Sequence, residues 1–427
     1  MRPIGIDDIE LATAHHVVDL STLAEATGTD PNKFRLGLGQ DQFSFPAPDE
    51  DAVTMGAAAA APIIERCGTE GIRTLLFATE SGIDQSKAAG ISVHKLLGLP
   101  SQVRVTEFKE ACFAGTAALQ AAIGIVSRNP GERVLVIASD VARYELDSPG
   151  EPTQGAGAVA MLVSADPRLI EIEQVSGLFA ADVDDFWRPN DSTTAIVDGG
   201  LSVTAYLDAL SGAWDDLQAQ GGPALAEIDR ILYHQPFTKM AKKAQLHLAQ
   251  HAGEELSGDL PEIGADGVAR VGSQDVASAG GQDAASADRH GAAGEAPGTP
   301  RDTGLATSTL YNRRLGNTYT ASVFAALAAL LDHDDDLEGR RIGFFSYGSG
   351  SASEFFTGRV LPGYASRSRR DDVAEALDAR VPLSVEAYRA LHSTVLGSAD
   401  DVETPRVTSA PFRFAGVKGR ARVYERS

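Results

Sequence analysis

Cysteine is nearly missing from this 427-residue chain, which holds only Cys67 and Cys112. Two cysteines cannot build a disulfide framework or a cysteine-rich zinc site. Lysine is scarce as well: positions 33, 87, 95, 109, 239, 242, 243 and 418 are all there are, among 37 basic and 59 acidic residues. A net charge of −22 repels a phosphate backbone and argues against nucleic-acid binding. Long apolar runs are missing too. The longest, residues 323–331, falls far short of a bilayer span, and residues 1–10 turn acidic without a basic, apolar leader pattern. The expectation is a cytoplasmic protein with no membrane segment. An acidic, lysine-poor, Ala/Gly-rich composition further points to a halophile cytosol, where salt screens self-repulsion.

What is present is organised around KEACFAGTAALQ at 109–120. A strand-like run at 102–108 leads into it and a small-residue helix from 115 to about 125 follows. Cys112 therefore falls at a strand-to-helix junction, where free N–H groups and the helix dipole favour a thiolate. Gly115 would let backbone or ligand approach the sulfur. A cysteine so placed is either an acyl-thioester nucleophile or a buried structural residue.

The flanking chain alternates strand and helix. Residues 49–66 read as an Ala-rich helix, 71–80 as a buried strand ending in Glu80, 94–97 as part of a helix, and 132–140 and 155–163 as buried strands. Gly155-Ala-Gly157 precedes its strand, so it is no dinucleotide fingerprint. The second half repeats the pattern. A strand at 227–234 ends in His234, Asn317 opens a small-residue helix at 323–331, and 340–350 mirrors the 132–140 strand. Glu80 and Cys112 are 32 positions apart, whereas His234 and Asn317 are 83 apart. The excess matches residues 252–302, within an acidic, aperiodic insertion at about 252–303 that reads as disordered. Helices at 372–379 and 384–392 and a strand at 413–424 complete the tail.

Two duplicated α/β halves, 1–166 and 167–427, would share a pseudo-twofold axis and bring Glu80, Cys112, His234 and Asn317 to one cleft. Together these groups suit acyl transfer with carbon–carbon bond formation. Cys112 would carry the acyl group, Glu80 would move a proton, and His234 with Asn317 would hydrogen-bond a carbonyl where charge gathers. Singly, each has a plainer reading: a solvated strand end, a turn histidine before Pro236, a helix N-cap. Lys239 and Lys243, one helical turn apart, would suit the diphosphate of coenzyme A. His247 and His251 have zinc-ligand spacing but no third ligand nearby, so no metal is assigned.

At this point the chain resembles 3-hydroxy-3-methylglutaryl-coenzyme A (HMG-CoA) synthases of the thiolase superfamily. The matching stretches are KFRLGLGQDQ (33–42), FATES (77–81), EACFAGTAAL (110–119), residues 138–144, EPTQGAGAVAM (151–161), 185–189 with 198–206, HQPFTKMAKK (234–243), GNTYTAS (316–322) and FSYGSG (345–350). The resemblance implies a five-layer αβαβα fold, a homodimer, no cofactor beyond CoA thioester substrates, and a place in isoprenoid biosynthesis. By the same match, acetyl-CoA would acetylate Cys112 and Glu80 would serve as general acid/base. His234 and Asn317 would hold acetoacetyl-CoA, and water would release HMG-CoA. Asp30, Lys33, Lys239 and Lys243 would contact CoA. Tyr144, Thr153, Phe186, Ser202 and Ser349 would line the acyl pocket, with the Gly348-Ser349 backbone near the oxyanion. A thiolase that makes acetoacetyl-CoA is a candidate partner. Phe113 stands where a tyrosine is common, and the insertion lies outside the family pattern.

Three other readings are open to the same residues. A β-ketoacyl synthase would need no base at Glu80. A biosynthetic thiolase would need a second catalytic cysteine near the C-terminus. A non-catalytic scaffold would have no reason to keep Glu80, Cys112 and His234 together.

Overall fold

The computed structural model describes residues 2–263, 269–270, 300–394 and 399–427. Most of the expected insertion thus lies outside the described residues, but its flanks belong to the core. Buried Leu256 bridges Arg301, whose guanidinium donates to the carbonyls of Ile228 (2.6 Å) and Leu225 (2.9 Å). Thr303 is buried and its hydroxyl donates to Gln245 Oε1 at 2.6 Å.

Nine strands form the principal sheet: β1 (Ile4–Thr13), β2 (Ile72–Ala78), β3 (Arg104–Phe108), β4 (Arg133–Ala142), β5 (Gly155–Ala165), β6 (Ile170–Ala180), and then, beyond the short hairpin strands β7 (Phe186–Trp187) and β8 (Ile196–Val197), β9 (Arg230–Tyr233), β10 (Arg341–Gly348) and β11 (Ala352–Val360). Their order is β9-β10-β11-β6-β1-β5-β4-β2-β3. Read outward from the β6/β1 junction, both directions run antiparallel, antiparallel, then parallel. The duplication is therefore a palindrome in the sheet, and the junction is slight, with Gly5 opposite Glu171 and Ile6 opposite Ile170. Among the described residues the second half has no counterpart of β3.

Six helices cover the sheet: α1 (Ala52–Cys67), α2 (Ala89–Leu96), α3 (Ala114–Arg128), α4 (Gly199–Ala219), α5 (Thr238–Ala252) and α6 (Ser322–His333). Apolar burial divides them into layers. Helices α1 and α2 pack on the outer face of the first half, through Val53, Ile63 and Val93 against Leu75, Phe77 and Ile137. Helices α4 and α5 cover the second half through Leu210, Trp214 and Leu248 against Ile231, Phe345 and Phe355. Helices α3 and α6 lie between the halves, packed on strands from both. This is the αβαβα arrangement of the thiolase fold. Each β4 residue from Val134 to Asp140 is buried, because a strand with helices on both faces has no solvent side.

Small residues make the central layer possible. A Cβ on Gly115 would stand 2.5 Å from the Thr320 carbonyl oxygen and 3.0 Å from the Phe324 ring. The glycine expected to admit a ligand to the sulfur instead lets α3 approach the start of α6. By length and composition Ala111–Arg128 could cross a membrane, but here it is this sandwiched core helix. Beyond the sheet, the 413–424 strand is a hairpin, β12 (Phe412–Lys418) and β13 (Ala421–Arg426), turned at Gly419 (φ 55°) and Arg420 (φ 67°).

Candidate active site

Parallel β2, β3 and β4 end on one edge of the sheet, and β9 and β10 end on the facing edge of the other half. Open α/β sheets bind ligands beyond such carboxyl ends. Glu80 follows β2, Cys112 follows β3, His234 follows β9 and Ser349 follows β10.

The turn that carries Cys112 is held in an unusual shape. Ala111 has φ 40°, a left-handed conformation costly for a residue with a Cβ, and α3 begins at Ala114. The backbone of Gly348 braces this turn so closely that a Cβ there would meet the Glu110 oxygen at 2.5 Å and the Phe113 nitrogen at 2.7 Å. Cys112 thus projects just ahead of the helix, and its Sγ–H donates to Glu80 Oε1 at 3.2 Å.

Both partners are buried, and their protonation follows from that. Burial, then the Asp140 charge, pushes the Glu80 carboxyl up to about 8. Burial, then Glu80, pushes the Cys112 thiol well above its usual range. The helix end does not outweigh these effects, so the resting group is a thiol hydrogen-bonded to an acid, not the thiolate expected from position alone. His234 is also buried, which lowers its imidazole to about 3 and keeps it neutral. Its backbone is pinned on both sides, donating from N–H to Phe345 (2.9 Å) and accepting at C=O from Tyr206 Oη (2.8 Å). The ring makes no hydrogen bond to the described residues.

Asn317 departs from its expected place. Its Oδ1 accepts from Tyr319 N–H at 2.9 Å just ahead of the 3₁₀ turn Tyr319–Ala321, and α6 starts only at Ser322. Its Nδ2 donates to Tyr144 Oη at 3.5 Å. The position matching Cys112 is Thr320: each precedes its helix by two residues, and each follows a left-handed residue, Ala111 (φ 40°) or Tyr319 (φ 46°). The equal spacing that paired Cys112 with Asn317 is a coincidence of where the insertion was cut.

One buried carboxylate ties the halves together. Asp140 Oδ1 accepts from Thr79 Oγ1 (2.7 Å), Glu80 N (2.9 Å) and Ser81 N (2.9 Å), and its Oδ2 accepts from the N–H (3.1 Å) and hydroxyl of Thr320. Within the second half alone, Asp185 accepts from Tyr347 Oη and Gly350 N, each at 3.0 Å. Neither was singled out from sequence. A signal existed for Asp140: β2 and β4 are parallel neighbours, and each ends in an acid at the same edge. Tyr319, buried beside Cys112 and Tyr144, carried no such signal.

A cavity of ≈ 580 Å³ opens in front of the sulfur. Cys112, His234 and Ser349 face it from the strand ends, Asn317, Tyr144 and Thr153 from loops and short turns, Phe186 from β7 and Ser202 from the first turn of α4. Glu80 stands behind Cys112. Phe186, on the β7–β8 hairpin, packs edge-on to Tyr144 and Tyr319, with centroids 6.3 and 5.9 Å away. Leu38, Ser148 and Pro149 also border a neighbouring cavity of ≈ 430 Å³, which Lys33 lines. Lys239 Nζ donates to the Leu36 carbonyl at 3.2 Å, and Lys243 Nζ lies 5.8 Å from the centroid of Phe237, a cavity residue. Asp30 caps the helix Pro31–Arg35 through Asn32 N–H at 3.0 Å, and so presents Lys33. His247 and His251 bond Ser211 Oγ and Asp215 Oδ1, each at 2.7 Å, in the α4–α5 interface away from the cavity.

A thiol beside an acid, with a neutral imidazole lining the same cavity, can accept an acyl group and join it to a carbonyl carbon. On this fold that is the work of a thiolase-fold condensing acyltransferase. Family models for the N-terminal and C-terminal parts of hydroxymethylglutaryl-coenzyme A synthase match residues 1–168 and 170–394. A hydroxymethylglutaryl-CoA synthase of Enterococcus faecalis is 36% identical over 99% of both chains, and one of Haloferax volcanii is 33% identical over 97% of both. A crystal structure of an HMG-CoA synthase complexed with CoA superposes over 100% of both chains with a TM-score of 0.86 and 34% identity. The chain belongs to the hydroxymethylglutaryl-CoA synthase family.

Proposed function

We propose that this HMG-CoA synthase works through an acetyl-Cys112 intermediate, with the Cys112–Glu80 hydrogen bond facing a neutral His234 as the observation that carries the reading. The Cys112 sulfur attacks the acetyl carbonyl carbon, the bond to the CoA sulfur breaks, and the thiol proton ends on the departing CoA. Glu80, as carboxylate, takes a proton from the acetyl methyl group. The resulting electron pair attacks the ketone carbon of acetoacetyl-CoA, whose oxygen receives that proton back from Glu80. His234 is suited to donate a hydrogen bond to this ketone because burial keeps it neutral, and Asn317 holds Tyr144 beside it. Water then cleaves the enzyme thioester and frees HMG-CoA.

The lysines Lys33, Lys239 and Lys243 are suited to the phosphates of CoA at the mouth of the cavity. Nothing in the reaction calls for a metal or redox cofactor. The family resemblance favours a homodimer in the cytoplasm, and the outer edge of β3 offers unpaired backbone for a second copy. A thiolase supplying acetoacetyl-CoA would be a natural associate. The acidic balance favours activity in concentrated salt; full activity and stability in dilute buffer would rule that part out.

Mass spectrometry of protein incubated with acetyl-CoA alone, in high salt, tests the reading. An acetyl adduct on Cys112 that disappears on adding acetoacetyl-CoA, with HMG-CoA formed, is the expected result. An adduct discharged only by a malonyl thioester would favour a β-ketoacyl synthase, and no adduct in folded protein would favour a scaffold.

A further inference from the structure

Glu80 works in acidic company. Asp140 on β4 and Glu110 in the nucleophile turn both oppose its ionisation, and Cys112, Tyr144 and Tyr319 face it as neutral groups. Burial and the two acids disfavour the carboxylate that Glu80 needs during turnover, while the Cys112 thiol donates to it only until the sulfur is acylated. Beyond that hydrogen bond, the positive charge of Arg188 favours its ionisation.

The position of Arg188 is fixed from two sides. It follows β7, whose Phe186 is locked between Tyr144 and Tyr319 in the catalytic cavity, and it precedes Pro189, which restricts its backbone to extended conformations. It lines a separate cavity of ≈ 520 Å³ together with Ser81 and Gly82, the two residues directly after Glu80. Arg188 therefore reaches the back of the Glu80 turn, while the substrates would enter from the front. Several other half-buried arginines are paired with acids, as Arg369 is with Glu10 (2.6 Å) and Arg341 with Glu173 (2.9 Å). The Arg188 guanidinium makes no ion pair or hydrogen bond with the described residues, so its charge is left to act on the turn. Arg422, in the same cavity, is taken by Asp51 at 2.7 Å, and Arg143 donates to the His392 carbonyl.

We propose that Arg188 is the counter-charge for Glu80: a positioning residue that acts through Glu80, holding it available as carboxylate for deprotonation of the acetyl methyl group. The proposal rests on the reading of Glu80 as the general base of a synthase. It assigns Arg188 no part in acylation of Cys112, where no proton leaves carbon.

The test is the pH profile of condensation in Arg188→Gln and Arg188→Lys, with formation of acetyl-Cys112 measured alongside. Removing a positive charge raises the pKa of a neighbouring carboxyl. In Arg188→Gln the rising limb of kcat/KM for acetoacetyl-CoA should therefore move to higher pH, by about half to one unit. The rate should fall roughly three- to tenfold at pH 7 and recover above pH 9, with acetylation unchanged, and Arg188→Lys should keep most of the native profile. An unmoved limb in an active Arg188→Gln protein overturns the inference; should that variant not fold, an unmoved limb in the equally neutral Arg188→Met overturns it in the same way. So does an equal loss at every pH, which is what a merely structural role would give. If native protein forms no acetyl-Cys112, the synthase reading falls and this inference with it; normal acetylation with an unmoved limb removes the inference alone.

Discussion

The two halves of the molecule build the same turn and use it differently. In the first, a left-handed Ala111 launches Cys112 ahead of α3 and the thiol points at Glu80. In the second, a left-handed Tyr319 launches Thr320 ahead of α6, and the hydroxyl is spent on Asp140 and the Ala78 carbonyl. One copy thus holds the thiol that faces the cavity, and the other ties the Glu80 turn to the opposite half. The polar residues that end the matching strands differ too. Glu80 is two residues beyond β2, while His234 directly follows β9, so the acid and the imidazole are not register mates. The duplication supplies a scaffold with a cleft, and side-chain identity divides the chemistry across it.

The largest effect should come from exchanging the matched positions. Cys112→Ala should abolish the acetyl adduct and cost on the order of 10⁴-fold or more in turnover. Adding Thr320→Cys to it should restore neither, because position 320 faces Asp140 and not the cavity. Recovered acetylation in the double variant would erase the distinction between the halves. His234→Ala removes a carbonyl hydrogen-bond donor and should reduce condensation about 10²-fold while sparing acetylation, a split that single-turnover kinetics can read.

Stability separates the halves on a smaller scale. The Glu80 carboxyl titrates normally, near 4.5, in the unfolded chain and near 8 when folded. The fold is therefore unpenalised below about pH 4, and the cost of ionising the buried group grows as pH rises through 5 to 8. Glu80→Gln should accordingly stabilise the protein, by up to ~3 kcal/mol at pH 7 and by little at pH 4, in denaturant titrations at the two pH values. Thr320→Val leaves Asp140 short of a donor and should destabilise by ~1–3 kcal/mol, with turnover only modestly reduced, since three donors still hold the Glu80 side of Asp140. A Thr320→Val protein as stable as the native one would mean that the tie between halves carries no weight.

Much of this was legible in the sequence because the signals were local. Apolar runs that end in Glu80 and His234, and small-residue helices opened by polar residues, were enough to reveal the duplication and to bring Cys112, Glu80 and His234 together. What failed depended on tertiary structure. The strand Ile170–Ala180 gives no sequence signal because most of its residues are at least partly exposed and break the apolar run, and Gly199–Ala219 opens on two glycines that mask its helix. The equivalence of Cys112 and Thr320 was hidden by a 3₁₀ turn that displaces α6 from Asn317. The thiol state of Cys112 could not be read at all, since position at a helix start argues for a thiolate and only burial beside Glu80 and Asp140 reverses it.

The central claim is that Glu80 acts after acylation, in the carbon–carbon step. Rapid-quench mass spectrometry of Glu80→Gln with acetyl-CoA, followed by acetoacetyl-CoA, tests it most directly. Acetyl-Cys112 should form at close to the native rate and then persist, with no HMG-CoA released. Failure to acetylate in folded protein, or discharge of the adduct to HMG-CoA at the native rate, would contradict the division of labour described above.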